Sequence, residues 1–567
     1  MFRFSTFVIG LFAFVLLSCS AGTTANTVPP TVSAIPPTIA RTRAPAAQPT
    51  HTATRVPPTE TSEPNTPTLW LEPHLDGTLR QTIETTAKTQ NLSIVPEAKN
   101  AALRISLVPT SDPLLLTETV YVVADRFATL RDGVKFGDIQ KVWAGQPTSD
   151  IQSLLVTADT VSALTPLLGA PGKTVLTVQP NVLVNMLWQT PNALAILPFD
   201  QLTPRVIAQP IDGQNILDRT LDTSKYPLIV RVYVEGNANR TLDFYNALHD
   251  KIEATNRDPN RMTSLIMTGV TAMGRFTADA IDKSGDPAFP ARVIAPVLSK
   301  ADITDISNEI PFADPCPPNL DDSSIVLCSK PEYIETLKLA GADIVGLTGN
   351  HAGDYGYDNY LKTLEIYKQN GMKYYAGGKD LAEARKPLIV EHNGNKIAFL
   401  GANSFGPQSY WATATKPGTN GYDPTRMKQD IDTARKQADL VLVEFQADEV
   451  YKYQPDAYNT ELFRRTIDQG ADVVTGVQNH HPAAIEFPGN DGKMILYGLG
   501  NLWFDQMYND EVRQGLIPRH LIYKGKLLQT ELLTTMLEYY AQPRWATPEE
   551  RETILRGVFG ASGFAVP

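Results

Sequence analysis

Apolar positions along this chain fall into three regimes. A short run, Phe7 to Leu17, is apolar or Gly throughout and follows Arg3. Its eleven residues are too few to span a bilayer, which needs about 20, and suit the apolar segment of a secretory signal. Residues 20–67 carry few large apolar side chains and cannot build a core. From residue 68 onward, short apolar runs alternate with stretches of helical period, the rhythm of an α/β protein.

Within residues 68–258, the run 119–124 (Thr-Val-Tyr-Val-Val-Ala) predicts a strand. Residues 136–143 predict a short helix with Ile139, Val142 and Trp143 on one face, and 192–199 predict a buried strand that meets Pro198. A polar stretch from Lys251 to Met262, with Asn256, Asp258, Pro259 and Asn260, marks a boundary, so residues 259–567 form a second region. There, apolar runs at 264–269, 342–349, 396–401, 439–443 and 472–476 predict strands, most of them running into polar clusters. Helical stretches at 331–338 and 360–368 flank the second of these runs. In layered α/β folds, sites gather where strand C-termini meet loops.

Composition adds an address. Over the full 567 residues, 42% are hydrophobic and 20% charged, ordinary for a globular protein. The 50 Lys+Arg against 61 Asp+Glu give a net charge of −11, which argues against a nucleic-acid binder. The leader holds Arg3, Arg41, Arg43 and Arg55 against Glu60 and Glu63, so the remaining 500 residues carry −13. Residues 21–67 hold 10 of the 43 prolines and 12 threonines. Pro29-Pro30, Pro36-Pro37 and Pro57-Pro58 favour extended polyproline II, so residues 20–67 are expected to form a disordered stalk reaching up to roughly 150 Å.

The segment Leu16-Leu17-Ser18-Cys19 resembles a bacterial lipobox. The resemblance implies that residues 1–19 are a lipoprotein signal peptide and that the Cys19 thiol is acylated. The body is then extracytoplasmic and held to the bacterial cell membrane by its N-terminal lipid. The other two cysteines, Cys316 and Cys328, sit in a protein expected where disulfides persist, so a bridge between them is expected, with two free buried thiols as the alternative.

Two family resemblances follow. The segments Val123-Ala124-Asp125-Arg126-Phe127, Gly133-Val134, Val142-Trp143-Ala144-Gly145, Ala193 to Pro198 and Tyr226-Pro227-Leu228 resemble phosphate-type periplasmic solute-binding proteins. The Ser-, Thr- and Gly-rich ligand loops of that family are not evident, so a bare scaffold is an equal reading of residues 68–258. The segment Gly349-Asn350-His351-Ala352-Gly353-Asp354-Tyr355-Gly356 resembles the signature of the CapA family, poly-γ-glutamate capsule synthesis proteins with a calcineurin-like metallophosphoesterase fold. Gly377-Gly378, Ala382 to Pro387, Gly470 to Val474 and Tyr497 to Asp505 continue the match through residues 259–567. The expected fold class is therefore α/β: a solute-binding-protein-like region followed by a two-layer α/β/β/α metallophosphoesterase-like domain.

Phosphoesterases of this fold hold two metal ions, and the resemblance assigns residues to that site. Asn350 and His351 match the ligating Asn and the His that acts on the phosphoryl group; Glu309 and His480 match further ligands. Asp354 is expected either to cap the next helix or to orient His351. Three expected ligands are replaced: a carboxylate by Val270, and two imidazoles by Gln446 and Gln478. Valine cannot ligate, and a Gln oxygen is a weak donor for a transition metal, so a divalent metal would bind poorly. Asp448 or Glu449 could shift to replace a lost ligand. Each retained residue also has a purely structural reading: Asn350 and His351 as partners of their own loop backbone, His480 and His481 as loop histidines, and Glu309 as a solvated strand-end carboxylate.

The expected function is a surface lipoprotein in capsule, poly-γ-glutamate or other envelope-polymer metabolism with a degenerate metal site, whose partners are the polymer or polymer-synthesis proteins. The alternatives are an active metal-dependent hydrolase of a phosphoester or envelope polymer, with His351 catalytic and Glu309, Asn350 and His480 on the metal, and a solute-binding receptor. A −13 body would repel a polyanion unless a metal or a basic groove intervened.

Overall fold

A computed structural model describes residues 67–110, 112–321, 325–489 and 492–566. The signal segment, Cys19 and the stalk up to residue 66 lie outside the described residues.

In the C-terminal region, successive side chains of each central strand enter different cores, as the two-residue period of a strand requires. Leu265 and Met267 of strand Met262–Met267 face one core, and Ile266 faces another. Leu440 and Leu442 of strand Leu440–Gln446 join the first core, while Val441, Val443 and Phe445 join a third. Both faces of these strands are covered, which is why they read as continuous apolar runs rather than alternating ones.

The first core lies between two sheets. One has seven strands: Lys373–Tyr375, Ile344–Gly346, Ile303–Ser307 and Met262–Met267 run parallel, and Gln514–Tyr523, Lys526–Glu538 and Gln542–Trp545 extend it antiparallel. The other has six: Asn395–Asn403, Leu440–Gln446, Val473–Gly476 and Met494–Leu496 are parallel, with Leu388–His392 and Ile485–Glu486 antiparallel at the two edges. Helices Arg275–Ser284, Ile334–Ala340 and Gly356–Gln369 cover the first sheet. Helices Pro424–Arg435 and Ala457–Asp468 cover the second. This is the expected α/β/β/α sandwich. The stretch expected to be helical at 331–338 is a 3-10 turn, Pro331–Tyr333, followed by helix Ile334–Ala340.

The N-terminal region is a nine-stranded mixed sheet. Its helix Phe136–Trp143 has the expected bounds, and strand Ala193–Pro198 is one residue shorter at each end than the expected 192–199. Two long antiparallel strands, Leu114–Arg126 and Ile229–Gly236, pass between two cores. Leu116, Val232 and Val234 pack with Leu69, Ile105 and Phe244; Val120 to Ala124, Ile229 and Val230 pack with Leu154, Leu194 and Trp143. The second of these cores also takes in Leu521, Tyr523 and Leu528 from the sandwich. Phe199 meets Tyr523 edge-on at 5.4 Å, and Ala208 N donates to Gln529 Oε1 at 2.7 Å. The described residues from 67 onward thus form one unit across the polar stretch at 251–262. Among the described residues, no helix is long and apolar enough to cross a membrane.

Candidate functional site

Three loops and one strand end, all at the C-terminal ends of the sandwich strands, deliver the polar cluster. Glu309 lies just beyond Ile303–Ser307, Asn350 beyond Ile344–Gly346, and Gln478 beyond Val473–Gly476; Gln446 ends its own strand on the face shared with Leu440 and Leu442. Gly349 lets two of the loops meet, because a Cβ there would sit 2.2 Å from the Glu309 Cα.

All four side chains are buried, and they converge on one atom. Gln446 Nε2 lies 2.9 Å from Glu309 Oε2 and 2.9 Å from Asn350 Oδ1, and it also donates to Gln478 Oε1. An amide nitrogen carries two hydrogens, so three acceptors surround two donors. The opposite amide orientation would set an oxygen against three oxygens. Gln446 Oε1, on the far side, is buried without a hydrogen-bond partner. Val270 sits in an apolar patch with Ala272, Ile310, Leu327 and Phe504.

His351 is held apart from this centre. Its Nδ1 lies 2.8 Å from Asp354 Oδ2, and the same oxygen accepts Leu327 N at 2.7 Å. Burial works against charge on His351, but the Asp354 bond and the nearby Glu309 and Asp354 charges outweigh it, against a small opposing effect of Arg275, and raise its pKa. Asp354 therefore orients His351. It does not cap helix Gly356–Gln369, whose first turn has no side-chain cap. Leu327 adjoins Cys328, and the expected Cys316–Cys328 disulfide is formed, with Cα atoms 6.0 Å apart.

His480 has a third set of partners. Nδ1 bonds Asn501 Oδ1 at 2.7 Å, Nε2 is 3.6 Å from Glu449, and the ring stacks between Phe504 at 4.7 Å and Tyr451 at 5.7 Å. Among the described residues, no hydrogen bond joins His480 to Glu309, Asn350, Gln446 or Gln478. His481 is likewise turned away, bonding the Pro482 carbonyl. Asp448 and Glu449 stay out of the four-residue cluster: Asp448 is tied through its backbone to Asn459, and Glu449 to Tyr451. Among the described residues, no group of three or more His, Cys, Asp or Glu is placed to hold a metal.

Sequence reading missed Arg275. Its guanidinium forms a two-point ion pair with Asp505, at 2.5 and 3.0 Å, and lies 5.3 Å over the Phe504 ring. Asp505 also accepts Phe276 N, so it pins the start of helix Arg275–Ser284 to the end of the site. Asp505 and Phe504 belong to the Tyr497-to-Asp505 motif, but nothing local marks Arg275 as their partner.

The N-terminal region brings two helix starts together. Asp76 caps helix Gly77–Thr89, and Asp159 stands in the first turn of helix Ala158–Leu168. A Cβ on Gly77 would lie 3.9 Å from Asp159 Oδ1. Between them, burial pushes the Tyr121 hydroxyl well up, and the charges of Asp76, Asp159 and Asp200 push it further. Helix N-termini favour anions, but here the chain's own carboxylates take that place.

Residues 264–506 match the family described as bacterial capsule synthesis protein PGA_cap. A Bacillus anthracis capsule biosynthesis protein CapA is 27% identical over 273 residues, covering 47% of this chain and 66% of that protein. The chain thus spans just under two thirds of that relative's length. Among solved structures, the calcineurin-like phosphoesterase YfkN of Bacillus subtilis aligns with TM-score 0.30 and 13% identity over 52% of this chain and 98% of its own. An ABC-type phosphate transport receptor of Vibrio cholerae aligns with TM-score 0.27 and 11% identity over 33% of this chain and 94% of its own. With the sandwich and the strand-end loops in place, the chain is similar over residues 264–506 to the bacterial capsule synthesis protein PGA_cap family.

Proposed function

We propose that this chain is a component of capsule or related envelope-polymer assembly that binds polymer without metal-dependent hydrolysis. It acts outside the cytoplasm, anchored through acylated Cys19 and held off the membrane by its stalk. Similarity to capsule synthesis proteins over residues 264–506 supports the polymer context. The carrying observation is the Gln446 amide. The oxygens that converge on it come from one carboxylate and two neutral amides, and they surround the amide nitrogen and its two hydrogens. Divalent transition metals favour imidazole and carboxylate donors, so this set does not fit a two-metal centre, and no reaction step is derived through one. The test is elemental analysis of the purified full chain after dialysis against MnCl2. The expected metal content is well below one ion per chain, and near-stoichiometric metal would overturn the reading.

A receptor for phosphate-type anions is disfavoured by Asp76 and Asp159, whose carboxylates at the starts of helices Gly77–Thr89 and Ala158–Leu168 would repel the ligand.

A further inference from the structure

We propose that Tyr451 and Tyr508 form a stacking platform for the uncharged sugar units of an envelope glycan; this names the polymer class for the polymer-binding reading above and rests on it. The two side chains are 44% and 66% exposed, large apolar surfaces standing on loops beside the site. Their ring centroids lie 6.4 Å apart, with planes tilted by 50°.

They end a column that runs inward. Tyr451 stacks on His480 at 5.7 Å, His480 on Phe504 at 4.7 Å, and Phe504 lies under the Arg275 guanidinium at 5.3 Å. Arg275 is fixed in turn by Asp505. Tyr451 is also held at its hydroxyl, which donates to Glu449 and accepts Gln506 Nε2 at 2.9 Å. The Tyr451 ring is therefore oriented before any ligand arrives, and little side-chain freedom is left to lose on binding. An aromatic face carries the negative side of the ring quadrupole. It complements the face of a pyranose where polarised C–H groups point outward. Glu449 and Gln506 at the ring edge supply the acceptor and amide that equatorial hydroxyls require.

Charge selects against the other polymer class. The segments 447–456 and 504–513 that carry the two tyrosines hold Asp448, Glu449, Asp456, Asp505, Asp510 and Glu511 against Lys452 and Arg513, an acidic excess. The nearby guanidiniums are engaged, Arg275 with Asp505 and Arg513 with Asp510 and Glu538. A polyglutamate strand would meet carboxylates, whereas a neutral glycan meets acceptors and ring faces.

The test is isothermal titration calorimetry of the full chain in detergent with N-acetylglucosamine hexamer and, separately, with poly-γ-glutamate. The expected result is binding of the hexamer, weakened about tenfold in Tyr508→Ala, as loss of one stacking contact implies. Tyr508→Phe retains the ring and should bind like the parent. Exposure of Tyr508 means that the parent's melting temperature should survive in both variants, which separates lost stacking from lost folding. Hexamer binding that Tyr508→Ala leaves unchanged would overturn the platform. Poly-γ-glutamate bound in place of the hexamer would overturn the glycan assignment and leave the polymer-binding reading standing. Binding of neither polymer would overturn both.

Discussion

Two residues of one strand, Glu444 and Gln446, face the same interlayer core and meet burial in opposite ways. Glu444 keeps an ionisable carboxyl in full burial. Ser307 and Thr348 donate to its Oε1 at 3.2 and 2.8 Å, and the Tyr375 hydroxyl lies 3.2 Å from its Oε2 and 2.9 Å from Asp305 Oδ2, one hydrogen between two carboxyls. Burial pushes Glu444 up to about 7 despite those hydrogen bonds, and it pushes Asp305 well up, with the Glu444 charge adding to the effect. Gln446, at the strand end, removes the ionisation problem by being an amide. Its nitrogen gathers one carboxylate and two amide oxygens from three other loops. The strand end, where a site would carry several charges, is built around a neutral amide donor that meets a single carboxylate, Glu309. The charge-capable pair lies a layer deeper, where water does not reach.

The hardest test of this contrast is Gln446→Glu. It replaces the donor by a carboxylate facing Glu309, Asn350 Oδ1 and Gln478 Oε1, an arrangement of acceptors only. The expected loss is about 3–5 kcal/mol in urea denaturation at pH 8, the scale of an unpaired buried charge. Mn2+ should restore part of that loss in the variant and leave the parent's melting temperature unmoved. A metal-dependent rise in the parent would break the contrast.

The deeper pair makes a pH prediction of the next size. Glu444 has an ordinary value of 4.5 and is raised to about 7 in the fold, so between those values the folded chain holds a proton that the unfolded chain has released. Stability therefore falls as pH rises above about 4.5, where the buried Asp305–Glu444 pair still holds protons that the unfolded chain has released. Thermal melts of Glu444→Gln should show a flatter profile over that window. A variant whose profile keeps the parent's slope would assign the pH dependence elsewhere.

Much of this architecture was legible in the chain. Apolar runs such as 439–443 and 472–476 became strands because both sheet faces are covered, and the resemblance at Gly349 to Gly356 placed Asn350 beside Glu309. The resemblance also reads Val270, Gln446 and Gln478 as replaced ligand positions. What Gln446 does was not legible, because hydrogen-bond polarity emerges only when three loops and a strand end meet. His480 read as a neighbour of Asn350, yet it turns to Asn501 and an aromatic column. The Arg275–Asp505 pair joins residues 230 positions apart, beyond the reach of any periodicity. The Asp305–Glu444 pair is hidden for the same reason: Glu444 follows an ordinary apolar run and Asp305 sits mid-strand in Ile303–Ser307, and only sheet packing brings their carboxyls to one tyrosine hydroxyl.

The smallest expected effect probes the rim of the cluster, where charge does persist. His351 has its pKa raised, so its ion pair with Asp354 contributes stability that is fully present below the ordinary value of 6.5 and is lost as pH rises through the folded value. Asp354→Asn keeps an oxygen for Leu327 N but removes the negative charge that favours the imidazolium. The titration midpoint of His351, followed by NMR, should move down, with a stability loss of about 1 kcal/mol at pH 6. An unmoved midpoint would mean that Glu309, and not Asp354, holds the charge on His351. The centre built around the Gln446 amide would then be coupled through Glu309 to the imidazolium beside it, and the contrast between them would have to be redrawn.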